Sequence, residues 1–351
     1  MEISTPGRIC LFGEHQDYLG LPVVAMAISL RVNIIGEKRQ DRKIILHKPD
    51  LDKKEIFSID NLEYNRSRDY FKSGIKTCIN MGLSFERGFE CEIRSNIPIQ
   101  AGASSSSAIV VGWINFLSQM ADKNPKWSLE KIGELAYQAE SVEFGEPGGM
   151  MDQYITSCGG LLLIKSEPKV SIEKIDTELG NFVLGDSGER KNTLDILDRC
   201  KTQRMKIFDK IKSFAPQFDL HTCQDDVDIS FLNKKEKNLF LATLKNRNLL
   251  KKSLIELNKG KVNSLYFGDL LNQQHRILRD DLNVSTRKIE SMLSASKLAG
   301  AFGGKINGSG GGGCMFAYAP GNTKKVASAI ESVGGRAYII GKDEGTIILS
   351  K

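Results

Sequence analysis

The residues best equipped for chemistry lie in one dense run near the N-terminus, Gly7-Arg8-Ile9-Cys10-Leu11-Phe12-Gly13-Glu14-His15-Gln16-Asp17-Tyr18. The apolar stretch Ile9 to Phe12 reads as a buried strand. It delivers a glycine and then Glu14, His15, Asp17 and Tyr18 in close succession. Charged groups at the end of a buried strand must be paired or used, because leaving them unsatisfied is costly. Carboxylates placed there take hydrogen bonds from neighbouring hydroxyls, so a polyol or sugar is a natural partner. A polar turn after an edge strand would present the same pattern.

Three further segments carry unusual chemistry. Ile97-Pro98-Ile99-Gln100-Ala101-Gly102-Ala103-Ser104-Ser105-Ser106-Ser107-Ala108 runs small residues and hydroxyls straight into the apolar Ile109-Val110-Val111. Small side chains let a phosphate approach backbone N–H groups, and a helix starting there adds its unpaired N–H groups and dipole. No lysine follows the glycine, so this is not a GxxxxGK[ST] loop. Gly303 to Gly313, dense in glycine, precedes a strand at Cys314 to Tyr318 and allows close backbone approach to a ligand or to another chain segment. Gly145-Glu146-Pro147-Gly148-Gly149-Met150-Met151-Asp152 places an aspartate after a turn, where by itself it reads as a surface loop residue.

The elements that must position these residues follow from periodicity. Strands are expected at Val32 to Gly36, Lys43 to His47, Phe89 to Arg94, Leu161 to Ile164 and Phe182 to Asp186. Helices are expected at Ser67 to Met81, Ser106 to Met120, Ser128 (as N-cap) to Val142, Leu194 to Phe214 and Ser285 (as N-cap) to Leu298. The tail reads strand–helix–strand–strand over Cys314 to Tyr318, Lys324 to Val333, Arg336 to Ile340 and Thr346 to Leu349. A charged stretch at 165–180 suggests a boundary near residue 175, giving units of 1–175 and 176–351.

Composition narrows the function classes. With 351 residues, 40% hydrophobic and 26% charged, the chain has the profile of a globular protein able to bury a large core. No apolar run is long enough to span a membrane, and the N-terminus lacks the basic and apolar regions of a signal peptide. The seven cysteines show no metal spacing and fit reduced, cytoplasmic thiols. A net charge of +6, with dispersed basic residues, argues against nucleic acid and is compatible with an anionic small substrate such as a nucleotide.

Taken in order, the four segments resemble the signatures of the GHMP kinase superfamily. Arg8 with Gly13-Glu14-His15-x-Asp17-Tyr18 resembles the galactokinase signature. Ile97 to Ala108 resembles the nucleotide motif, and Gly303 to Cys314 the third, glycine-rich motif. Glu140 and Gly148-x-Met150-Met151-Asp152, twelve residues apart, resemble the stretch with the Mg²⁺-ligating glutamate and catalytic aspartate. The resemblance implies an α+β, two-domain fold: a ribosomal-S5-type N-terminal domain and a ferredoxin-like C-terminal domain with the active site between them. It implies transfer of the γ-phosphoryl of ATP to a sugar hydroxyl, in galactokinases the anomeric one.

The roles it implies are these. Asp152 accepts the hydroxyl proton or orients the hydroxyl, with Arg8 beside it. An arginine there favours the ionised aspartate and makes it a weaker base. Glu14, His15, Asp17 and Gly149 meet the sugar. Gly102, Ser104, Ser105, Ser106, Ser107, Gly308 and Gly310 hold the nucleotide, and Ser106 with Glu140 holds Mg²⁺.

The chain also departs from the pattern. Gln100 replaces a glycine and Ala103 a leucine of the nucleotide motif. Asp186 stands for asparagine in an Asn-Ser-x-x-Arg-like segment ending at Arg190. The tyrosine that galactokinases carry some ten residues later has no counterpart between Tyr154 and Tyr266, and Leu19-Gly20-Leu21 replaces an Asn-x-Gly turn. Galactose is therefore one acceptor among related aldoses and uronic acids. A mevalonate-type kinase and a non-catalytic sugar and ATP sensor are the competing functions. The Glu14-His15-x-Asp17 cluster disfavours the first, and the joint presence of Arg8, Glu140 and Asp152 disfavours the second.

Overall fold

The computed structural model describes residues 1–99, 102–190, 193–224 and 227–350. Gln100 therefore lies outside the described residues. In chain order the strands are β1 (Glu2–Phe12), β2 (Val23–Lys38), β3 (Lys43–Lys48), β4 (Lys53–Ser58), β5 (Phe89–Ser95), β6 (Leu161–Lys165), β7 (Ser171–Lys174), β8 (Phe182–Asp186), β9 (Gly303–Ile306), β10 (Cys314–Tyr318), β11 (Arg336–Ile340) and β12 (Ile347–Ser350). The helices are α1 (Tyr70–Asn80), α2 (Ser105–Met120), α3 (Leu129–Tyr137), α4 (Met151–Cys158), α5 (Thr193–Phe214), α6 (Lys234–Leu257), α7 (Ser264–Arg276), α8 (Arg287–Leu298) and α9 (Thr323–Ser332). This is the α+β architecture expected from the sequence.

Two sheets organise the chain. The larger runs β12-β1-β2-β5-β3-β4, with β6 paired to β2 and β7 to β6. The smaller runs β11-β8-β10-β9 and is antiparallel throughout. In β1 and the first half of β2 almost every residue is buried, because both faces are covered. Ile9, Leu11, Val24 and Met26 enter the main core around α2, whereas Cys10, Val23, Ala25 and Ala27 pack with Met151, Tyr154 and Ile155 of α4. A strand buried on both faces reads as an unbroken apolar run, as Ile9 to Phe12 does. The core around α2 is anchored by Trp113, stacked on Phe116 and met edge-on by Phe71 and Phe89. A second core joins α5, α6, α8 and α9 to the smaller sheet.

Several elements differ from expectation, each for a physical reason. β2 runs to 16 residues because its second half pairs with β5 at a half-buried face. The cap of α8 is Thr286, whose hydroxyl accepts from the Ile289 N–H; the expected cap, Ser285, instead donates to Glu290 at 2.5 Å. Gly303–Ile306, expected as loop, is a strand, since backbone pairing with β10 needs no side-chain signal. Helix α7 was not marked by periodicity; Gln274 and His275 are buried in it among Phe267, Leu270 and Leu271. The final strand, grouped by sequence with the tail, leaves the smaller sheet and pairs with β1, sealing its free edge. Among the described residues no helix is long and apolar enough to cross a membrane.

Candidate active site

β1 carries a register shift between Pro6 and Gly7. At Gly7 a Cβ would lie 2.8 Å from the Ala103 carbonyl oxygen, so only glycine lets the serine loop close on the strand. The Arg8 N–H donates to that same carbonyl at 3.1 Å. The bulge aims the Arg8 guanidinium at the junction of two helix starts. There Nε and Nη2 donate to the two oxygens of Asp152 at 2.7 and 2.9 Å, and Nη1 donates to the Gly102 carbonyl at 2.5 Å. Asp152 sits in the first turn of α4, where a carboxylate also meets the positive helix end.

Ser104 completes this centre. It caps α2 in the left-handed region, φ 60°, and its hydroxyl donates to Asp152 Oδ2 at 2.5 Å. Its side chain is therefore not spent on α2, whose first N–H groups remain available to an anion. Ser105 and Ser106 line the same cavity. Ser107 points inward with Ser106 toward Glu140, which lies on a π-helical turn at Gln138–Val142 that follows α3. Glu140 is buried, and its partners are neutral: Gln153 Nε2 donates to it at 2.7 Å, and both serines hydrogen-bond it. Burial pushes its carboxyl up to about 7.

β1 ends in Gly13 and a tight loop. Gln16 N–H donates to Gly13 O, Asp17–Leu19 forms a 3₁₀ turn, and Gly20 closes it. Asp17 points into the cavity beside Gly149, where a Cβ would come 2.1 Å from its Oδ2. Glycine at 149 is thus what leaves room for the carboxylate. Burial, reinforced by Asp152, pushes Asp17 up to about 6. Glu14 is buried and ion-paired through Oε2 to Lys305 Nζ of β9 at 2.8 Å; Lys305 also donates to the Cys10 carbonyl. His15 has φ 63° and is held through both ring nitrogens, by Tyr18 Oη at 2.7 Å and the Ser309 carbonyl at 3.0 Å.

Most of these groups meet in one cavity of about 530 Å³. It gathers Arg8, Glu14, His15, Asp17, Gly102, Ser104, Ser105, Ser106, Gly149, Asp152 and Gly308 from the residues expected by sequence. Ser107 and Glu140 lie just behind its wall, and Gly310 packs against Val284. The Asp186–Arg190 segment is placed against the glycine loop, where Ser187 N–H donates to Gly313 O and Gly313 N–H to Glu189 O. Tyr70, Phe71, Ile99 and Ile109 give one end of the cavity an apolar character, and Leu194 and Leu197 of α5 another.

Sequence reasoning missed Lys305, Asn307 and the α5 wall. The lone lysine of the glycine-dense segment is the signal that could have found Lys305, since a buried cation requires an anion. Asn307 donates to the Gly102 carbonyl at 2.9 Å and accepts from the Cys10 N–H at 3.0 Å, tying glycine loop, serine loop and β1 together. Among the described residues there is no cluster of three or more His, Cys, Asp or Glu suited to a metal. The arrangement as a whole is a helix start without a side-chain cap, an arginine-clamped aspartate and a row of hydrogen-bonding groups around one cavity. It suits phosphoryl transfer between a nucleotide and a small hydroxylated molecule.

Comparison with known proteins agrees with this geometry. Residues 69–160 match the model for the GHMP kinases N terminal domain, 263–336 the GHMP kinases C terminal model, and 2–38 the galactokinase galactose-binding signature. The chain is 29% identical to a mevalonate kinase of Pyrococcus abyssi over 348 residues, covering 96% of this chain and 93% of that protein. It is 30% identical to a galactokinase of Clostridium beijerinckii over 329 residues, covering 88% and 82%. In fold it resembles Lactococcus lactis galactokinase complexed with galactose (TM-score 0.85, 22% identity, 99% and 94% covered). It also resembles Methanococcus jannaschii mevalonate kinase (TM-score 0.77, 24% identity, 98% of each chain covered). The order of the motifs, the cavity they share and these matches along most of its length lead to one conclusion: the chain belongs to the GHMP kinase family of ATP-dependent small-molecule kinases.

Proposed function

We propose that this kinase phosphorylates a sugar, at the anomeric hydroxyl of galactose or of a related aldose or uronic acid. The observation that carries the reading is Asp17. Its carboxylate is seated against Gly149 in the same cavity as the Arg8–Asp152 pair, inside the stretch matched by the galactose-binding signature. In this reading Asp17 and Glu14 take the acceptor's hydroxyls, His15, with both ring nitrogens held by Tyr18 and Ser309, shapes the loop beside them, and residues 1–175 and 176–351 form the two sides of the cleft.

Asp152 accepts a hydrogen bond from the reacting hydroxyl and holds it in line. With both oxygens already bonded by Arg8 and Ser104, its work is orientation and charge stabilisation more than free proton abstraction. Arg8, kept charged by Asp152, faces the developing phosphoryl charge. The start of α2 with Gly102, Ser104, Ser105 and Ser106, and Gly308 and Gly310 opposite, cradles the ATP phosphates. Ser107 braces Glu140. Glu140 and Ser106 would hold Mg²⁺, which would neutralise phosphate charge there.

A second reading, a mevalonate-type acceptor, is favoured by the apolar Leu194 and Leu197 in the cavity wall. Both are tested by ADP release from Mg-ATP with a panel of aldoses, uronic acids, amino sugars and mevalonate. Turnover with a sugar is the expected result. Turnover with mevalonate alone would replace the first reading by the second. Sugar and ATP binding without ADP release would make the protein a sensor.

A further inference from the structure

The imidazole of His15 is fixed by a chain of groups that reaches into the other half of the molecule. Its Nε2 faces the Ser309 carbonyl at 3.0 Å. A carbonyl only accepts, so Nε2 carries a proton; Nδ1, 2.7 Å from Tyr18 Oη, is the acceptor in the neutral ring. The tyrosine hydroxyl supplies the hydrogen. Burial pushes that phenol up, so it keeps its proton. The oxygen of the same hydroxyl accepts from Nη2 of Arg204, whose guanidinium also lies over the Tyr18 ring, 5.3 Å from its centroid. Arg204 therefore leaves Tyr18 one way to point its hydrogen, toward His15.

Arg204 is an unusual residue for its place. It lies on the buried face of α5 with Cys200, Ile207 and Ile211, and is 1% exposed. Among the described residues no carboxylate lies within ion-pairing distance of it. Its Nε donates to the Cys200 carbonyl at 2.8 Å, and its remaining polar contact is the tyrosine. A buried guanidinium with neutral partners is a poor stabilising device, since apolar side chains of similar size commonly do as well. It does fix orientation. His15 has the positive φ that non-glycine residues rarely adopt, and its two ring hydrogen bonds counter that strain. The face of α5 that holds Arg204 also delivers Leu197, two turns earlier, to the cavity wall.

We propose that Arg204 is a positioning residue for the acceptor site, acting through Tyr18 on the tautomer and orientation of His15 and setting the register of α5 against the loop. The proposal rests on the reading of Glu14 to Tyr18 as the acceptor-binding loop. It adds to that loop a residue 186 positions away in the chain.

The test joins kinetics to a measurement that needs no acceptor. Long-range ¹H–¹⁵N spectra of the full-length protein resolve the ring nitrogens of its four histidines, and a His15→Gln variant assigns His15. In wild type Nε2 is the protonated nitrogen and Nδ1 a hydrogen-bonded acceptor. Arg204→Met and Tyr18→Phe each shift the Nδ1 resonance toward that of an unbonded ring nitrogen, and Arg204→Lys largely restores it. Tyr18→Phe keeps the ring packing, so it serves if Arg204→Met does not fold. With the acceptor found by the sugar panel, both variants raise acceptor KM about tenfold, the scale of one charge-assisted hydrogen bond. The KM for ATP changes less than twofold. An unmoved Nδ1 resonance overturns the proposal, as does a parallel rise of both KM values. If no sugar is turned over, the sugar-kinase reading fails on the panel while the histidine spectra still decide the role of Arg204.

Discussion

The proposed reaction centre and the proposed acceptor loop both grow from β1, yet they are held in different ways. Arg8, Asp152 and Ser104 come from a strand and two helix starts in the first half of the chain and bond directly to one another. Glu14, His15 and Tyr18 are instead held by Lys305, Ser309 and Arg204, all from the second half. The first is a closed unit in which each charge has its partner at hand. The second takes its shape only when the two halves meet.

Four experiments would break or sharpen that contrast. The largest effect belongs to the closed centre: Asp152→Ala should lower kcat by at least about 10³-fold while nucleotide still binds, as calorimetry would show. Loss of nucleotide binding as well would mean that Asp152 holds the fold of the centre. Next is the shared loop. Lys305→Met leaves the buried Glu14 carboxylate unpaired and should cost about 3–5 kcal/mol in denaturant unfolding. Adding Glu14→Gln should recover much of that cost, and a double variant no better than the single would show that the pair is not the source.

Ser104→Ala removes one donor from Asp152 and should reduce kcat about tenfold with both KM values near wild type. An unchanged kcat would show that the Ser104 hydroxyl contributes nothing to the work of Asp152. The smallest effect concerns Glu140. Its folded carboxyl, raised to about 7, prefers to be neutral, so it adds stability that is fully present below the unfolded glutamate range near pH 4. That stability is lost as pH rises to 7. Metal-free protein should therefore melt several degrees lower at pH 8 than at pH 5.5, with Asp17, raised to about 6, acting in the same direction. Glu140→Gln should reduce the difference by about 1–2 kcal/mol, and a pH profile identical to wild type would remove Glu140 as its source.

How legible the molecule was in its sequence varied with how local each cause is. Ser128 capping α3 and the span of β8 were readable, because a hydroxyl before an amphipathic run and an apolar run between turns act over a few residues. The four motif segments announced a site, because glycines, serines and carboxylates in such density are costly unless used. Less readable were α7, whose buried Gln274 and His275 blur the apolar stripe, and β9, built of two glycines and a lysine. Tyr18 stood in the opening cluster, but its service to His15 depends on Arg204, a residue that in sequence is one cation among many on a charged helix.

By itself the sequence determined which groups are present and their local frames: the arginine before the buried strand, the serines at the start of α2, the Glu140 and Asp152 spacing, the glycines where backbone must come close. Local sterics and capping fix such features within a turn or two of chain. The tertiary structure alone decided which charge pairs with which. Lys305 reaches Glu14 across 291 residues and Arg204 reaches Tyr18 across 186. Such pairings follow from burying two cores against each other, since a charge removed from water must take whatever partner the packing brings within reach.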